Sequence, residues 1–180
     1  MSEVKRFSQV QTASTIGDNE TLLLIDAQGN VKRVSLSSLL SSVSGRNLIL
    51  NSATPRSGQY GIGGSFSLST PLQRGKKYTI SVFGVKRGEG KTSLQLWNWG
   101  GMANLVHLNK ISSNSTGDTY SGTFTVSSSS DELRLSKVEL IDFPSSVTNA
   151  TSFECIKLEE GNVGTMWTPA PEDIATKNGG

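Results

Sequence analysis

Residues 77–85 read Lys77-Tyr78-Thr79-Ile80-Ser81-Val82-Phe83-Gly84-Val85, and their alternation decides the fold class. Tyr78, Ile80 and Val82 fall on one side of an extended chain and Thr79 and Ser81 on the other, the period of a strand with one face in a core and one in water. The same period recurs at 123–126, where Phe124 and Val126 oppose Thr123 and Thr125. Runs of this kind, separated by Gly, Ser and Asn clusters at about ten-residue intervals, predict strands. They lie over 47–51, 65–69, 77–85, 92–99, 105–111, 122–126, 132–140 and 153–158, with 165–167 returning beside the last. About eight antiparallel strands between Arg46 and Pro169 make a sandwich of jelly-roll size.

The final run, Ile156-Lys157-Leu158-Glu159-Glu160-Gly161-Asn162-Val163-Gly164-Thr165-Met166-Trp167, stops at Thr168-Pro169-Ala170-Pro171. Two prolines so close together donate no ladder hydrogen bond and end the sheet. Trp167 is expected to plug the sandwich beside its opening strand, and residues 172–180 to leave as a free polar tail. Ile141-Asp142-Phe143-Pro144 marks another strand exit, and 145–151 a solvated loop.

Ahead of the sandwich the chain changes character. Residues 7–17 are polar and have little to bury. Thr21-Leu22-Leu23-Leu24-Ile25 and Val31-Lys32-Arg33-Val34 then flank the turn-rich Asp26-Ala27-Gln28-Gly29-Asn30, which predicts a β-hairpin. Leu36, Leu39, Leu40 and Val43 follow at helical spacing, with Ser35 placed to cap and Gly45 to terminate, so a short amphipathic helix is expected after it. A hairpin and two helical turns bury too little to offset a backbone ordering cost of about 1–2 kcal/mol per residue. The segment must dock on a partner. The expected architecture is all-β: an antiparallel sandwich over 46–171, preceded by this docking and oligomerisation segment over 1–45 and followed by the tail. Its docking residues are Phe7, Val10, Leu22, Leu24, Val31, Val34, Leu36, Leu39, Leu40 and Val43.

Composition removes several function classes. A formal charge of +2 with dispersed cations makes no nucleic-acid footprint. Lys76-Lys77 and Lys86-Arg87 read as solvated strand ends. A single cysteine, Cys155, forbids an internal disulfide framework and reads as a small buried apolar residue. The opening MSEVKRFSQ lacks the apolar core of a signal peptide, and no apolar run reaches the length of a membrane span, so a soluble protein made in a cytoplasm is expected.

Catalysis has little to work with. The one histidine, His107, sits in a strand-like Leu105-Val106-His107-Leu108, and no serine occupies a nucleophile elbow. The chain is read as a non-enzyme with no cofactor. Residues 84–92 end in Gly-Lys-Thr but lack the phosphate-loop spacing and the helix that must follow, so they read as a hairpin turn. Glu159-Glu160 offers two carboxylates where calcium takes six or more oxygens, and a solvated acidic turn is the simpler reading. The most informative stretch is Leu94-Gln95-Leu96-Trp97-Asn98-Trp99. Strict alternation puts Trp97 and Trp99 outward beside Gln95, and Trp97, Asn98 and Trp99 become candidate sugar contacts, since C–H faces stack on aromatic rings while amides pair with hydroxyls. The alternative is that a bulge buries one Trp or that a neighbouring subunit covers both.

Two stretches carry a resemblance. Residues 7–40, with Phe7-Ser8-Gln9-Val10, Ala13, Ile16, Asp18, Val34, Leu36 and Leu39 in register, resemble the short N-terminal module of phage fibre and appendage proteins, departing in Phe7 where Ile is usual. The ending Trp167-Thr168-Pro169-Ala170-Pro171-Glu172-Asp173 resembles the close of jelly-roll modules in tailed-phage virion proteins. The resemblance implies a non-enzymatic virion structural protein of head-fibre, decoration or tail-fibre type, homotrimeric, fixed through residues 1–45 to capsid or tail proteins, with the sandwich projecting outward; host-surface glycan is the contact that the Trp97 and Trp99 face would make. The dispersed charge and the lack of a long apolar run add the expectation of no nucleic-acid partner and no membrane insertion. A lectin-like carbohydrate-binding module of a surface protein is the alternative.

Overall fold

A computed structural model describes residues 21–25, 28–35, 45–98, 103–127 and 135–175. The chain divides into two compact units, residues 1–43 and 44–180.

In the first unit β1 (Thr21–Ile25) and β2 (Val31–Ser35) pair antiparallel, with Leu22 opposite Val34, Leu24 opposite Lys32 and Ile25 opposite Val31. Gly29 takes a φ of 83°, which a side chain would resist, and so lets the chain reverse. Ile25 and Val31, the pair nearest the turn, are 61% and 62% exposed. Phe7, Val10 and the expected helix with Leu36, Leu39, Leu40 and Val43 lie outside the described residues.

The second unit is an all-β sandwich of antiparallel sheets. Its strands are β3 (Arg56–Gly58), β4 (Gly61–Ser67), β5 (Lys77–Val85), β6 (Ser93–Asn98), β7 (Asn104–His107), β8 (Asn109–Ser113), β9 (Asp118–Thr125), β10 (Lys137–Phe143), β11 (Thr151–Phe153) and β12 (Cys155–Glu160), followed by the short helix α1 (Pro171–Ala175). One main sheet runs β4-β10-β6-β7 and the other β12-β5-β9-β8, while β3 and β11 form a small pair of their own. The core between them gathers Ile62, Phe66, Ile80, Val82, Leu94, Leu96, Val138, Leu140, Phe153, Ile156 and Leu158.

Four of the expected strand and turn assignments change. The single strand expected over 105–111 is two, because the chain changes sheets at buried Leu108, whose N–H donates to the Leu94 carbonyl at 2.8 Å. Residues 84–92 do not close a hairpin, since β5 and β6 belong to opposite sheets. The opening run 47–51 contributes one isolated bridge, Ile49 to Leu68, and residues 165–167 form no strand. Polar β3, with no apolar alternation to announce it, pairs with β11.

Strand β5 keeps its expected bounds, and Tyr78, Ile80 and Val82 enter the core. Its other face does not meet water: Thr79 and Ser81 are only 2% and 4% exposed. The segment after β12 lies over them, with Thr79 Oγ1 donating to the Gly161 carbonyl at 3.0 Å. A Cβ on Gly164 would stand 2.8 Å from Ser81 Oγ, so the close approach requires glycine. Beneath this strap Lys157 and Glu159 form an ion pair of 2.8 Å, with side chains 1% and 2% exposed. The strap completes it: Thr165 donates its N–H and its hydroxyl to the Glu159 carboxylate at 2.8 and 2.7 Å, and Lys157 Nζ donates to Thr165 Oγ1 and to the Met166 carbonyl.

The expected free tail is corrected in its first residues. Pro171–Ala175 turns as α1, Glu172 pairs with Arg46, and the Asp173 carboxylate accepts the Asn51 N–H at 2.8 Å. Trp167 is half-buried, its indole N–H 3.3 Å from Ser52 Oγ on the opening segment.

Candidate functional site

The outer face of the β4-β10-β6-β7 sheet concentrates aromatic and amide groups. On β6, Leu94, Leu96 and Asn98 turn inward, leaving Ser93, Gln95 and Trp97 outward. Register across the sheet places Asn104 and Glu139 on either side of Trp97, His107 and Ile141 on either side of Gln95, and Phe143 opposite Ser93. The Trp97 and Phe143 rings lie 6.1 Å apart, and Tyr60, which leads into β4, meets Phe143 edge-on at 5.1 Å. Opposite Ile141 stands Gly61, where an added Cβ would have nothing within 4 Å. The face therefore has an aromatic wall of Trp97, Phe143 and 38%-exposed Tyr60 next to an open glycine position.

Hydrogen bonds hold these groups in place. Gln95 Oε1 accepts the indole N–H of Trp97 at 3.0 Å and the amide of Asn104; Gln95 Nε2 donates to Ser93 Oγ at 2.9 Å, which lies 3.0 Å from His107 Nδ1. A buried amide with both ends engaged fixes the ring of Trp97 before any ligand arrives, removing ordering cost from binding. Chemically the face can stack a sugar ring and donate or accept hydrogen bonds around it.

Of the residues nominated from sequence, Trp97 is on this face. Asn98 is not: it is buried, its Oδ1 accepting the Ala103 N–H at 2.9 Å. Trp99 lies outside the described residues. Tyr60, Phe143 and His107 come to the face from distant parts of the chain, and only strand register could have found them.

The acidic end of β12 and the basic stretch after β5 are committed elsewhere. Glu160 is exposed and pairs with Lys76 at 2.9 Å, while Glu159 is sealed under the strap; neighbours on a strand point oppositely and do not share an ion. Among the described residues no group of three or more His, Cys, Asp or Glu could hold a metal. Arg87 is no solvated strand end. Its Nε donates to the fully buried Asp142 carboxylate at 3.0 Å and its Nη2 pairs with the second oxygen, while Thr151 Oγ1 donates to the same carboxylate at 2.6 Å. Burial works against the Arg87 charge, but the bonds to Asp142 outweigh it and hold its pKa above the ordinary value. Cys155 is half-buried rather than buried, and burial, with Glu154 nearby, pushes its thiol up to about 11. It is protonated at neutral pH and is not an activated nucleophile.

No protein-family model, no curated protein and no solved structure matches the chain.

Proposed function

We propose that the chain is a non-enzymatic structural component of a tailed-phage virion, a head-fibre, decoration or tail-fibre protein. Residues 1–45 anchor it to capsid or tail proteins, and a jelly-roll sandwich projects outward as the adhesive part. The observation that carries this reading is the division of labour within the chain. The sandwich has its own closed core, whereas the first unit offers a two-stranded hairpin with an exposed apolar pair, Ile25 and Val31. An isolated hairpin is marginal in water, and packing three copies around an axis would bury those faces. Co-migration of the chain with virions through a density gradient tests the role.

A lectin-like reading of the sandwich is favoured by one specific observation, the preordered Trp97 on the β6 face beside Phe143 and Tyr60. It is compatible with the first, because an appendage that grips host-surface glycans needs such a face. A glycan array followed by titration of the strongest hit is expected to show saturable binding that Trp97→Ala weakens at least tenfold, about 1.4 kcal/mol. Equal affinity in wild type and Trp97→Ala, or no binder on the array, would rule the face out as a glycan site.

A further inference from the structure

Lys91 stands at the end of the loop between β5 and β6, and although it is a lysine in a loop it is only 8% exposed. Its ammonium is ringed by backbone carbonyls: Val147 at 2.7 Å, Pro144 at 2.9 Å, Asp142 at 3.2 Å, and Gln59. An ammonium has three N–H donors, yet four carbonyl oxygens converge on it. That arrangement is the coordination of an ion by dipoles rather than a set of paired hydrogen bonds, and rings of carbonyls are how proteins replace the hydration shell of potassium. The nearby Asp142 carboxylate takes no part, being engaged by Arg87 and Thr151. With no carboxylate among the ligands the cage suits a single positive charge and not calcium, whose sites combine carbonyls with carboxylates at six or more oxygens.

We propose that these carbonyls form a monovalent-cation site whose ion is built into the chain as the Lys91 ammonium. Trimmed of that side chain, the cage takes free ammonium or potassium. The site ties together four pieces of chain distant in sequence: the turn before β4, the loop after β5, the end of β10 and the loop leading to β11. Two of its carbonyls belong to the residues just before Tyr60 and Phe143, so the same ion sets the edge of the aromatic face. A covalent ion cannot be diluted away or chelated, and the loop cluster keeps its shape in any ionic medium.

The test is thermal unfolding of the full chain in choline, potassium, ammonium and propylammonium chlorides at equal ionic strength, with and without EDTA. Wild type is expected to hold one melting temperature throughout. Lys91→Ala is expected to melt several degrees lower in choline and to regain at least half of the loss, saturably, in ammonium, propylammonium or potassium. Lys91→Met, whose apolar chain fills the cage without a charge, is expected to melt low in every salt. Should Lys91→Ala fail to fold in choline, refolding from urea into each salt replaces the melt, and recovery in ammonium or potassium supports the site. Lys91→Ala melting like wild type, melting equally low in all four salts, or refolding in none of them would overturn it.

Discussion

Glu159→Ala is expected to lower the unfolding free energy by about 3–5 kcal/mol, the cost of leaving a buried partner charge uncompensated. The remaining ammonium, Lys157 Nζ, would lie almost fully enclosed with only Thr165 Oγ1 and the Met166 carbonyl to receive it. The same change removes both acceptors of Thr165 on the strap, so the cover over Thr79 and Ser81 loosens with it. Replacing both charges, as Lys157→Met with Glu159→Leu, is expected to cost distinctly less than Glu159→Ala alone, because paired desolvation is relieved together. Urea titration of the three chains measures this. A double variant at least as unstable as the single one would mean that the pair is a net source of stability and not a matched set of costs.

A loss of about 3 kcal/mol is expected for Asn47→Ala, whose fully buried amide joins three segments far apart in sequence. Its Oδ1 accepts the N–H groups of Ile49 and Leu158, each at 3.1 Å, and its Nδ2 reaches the carbonyls of Ile156 and Thr168 and the hydroxyl of Ser52. Alanine leaves buried backbone groups of the opening segment, β12 and the strap without partners, and no water-sized polar group replaces them. Asn47→Asp is expected to fare no better at neutral pH, since a carboxylate would face the carbonyls of Ile156 and Thr168 in place of a donor. A reduced urea midpoint with an unchanged slope identifies a stability effect within one fold. Midpoints within experimental scatter of wild type for both variants would show that the amide is not a structural hub.

Much of the sandwich could be read from alternation, because half-buried strands carry a period of two whatever their partners. Lys77–Val85 was bounded by it at both ends. Alternation does not report what covers the second face. Thr79 and Ser81 look solvent-facing in sequence, and the strap that buries them approaches through Gly164, a residue that carries no hydrophobic signal. A crossing between sheets is equally silent: Leu105 to Ile111 keeps strand-like residues throughout while the chain changes sheet at Leu108.

At the candidate site the outward turn of Trp97 followed from spacing alone, whereas Asn98 could be nominated only by ignoring that the same spacing points it inward. The Tyr60–Phe143 pair depends on β4 and β10 becoming neighbours, a pairing between residues far apart in the chain. Charged residues misled in a consistent way. Arg87 and Glu159 read as solvated, and each found an oppositely charged partner, Asp142 or Lys157, that makes its burial tolerable. The tail behaved alike, with Glu172 and Asp173 drawn back to Arg46 and Asn51.

The proposed virion role is tested most directly by locating the chain in a reconstruction of virions that carry it, alongside virions made with a chain lacking residues 1–43. The expected result is a lobe of sandwich size, repeated three times about an axis, standing off the head or tail surface with residues 1–45 at its base, and no such lobe when those residues are removed. Purified virions without the chain, or a lobe that persists when residues 1–43 are deleted, would contradict it.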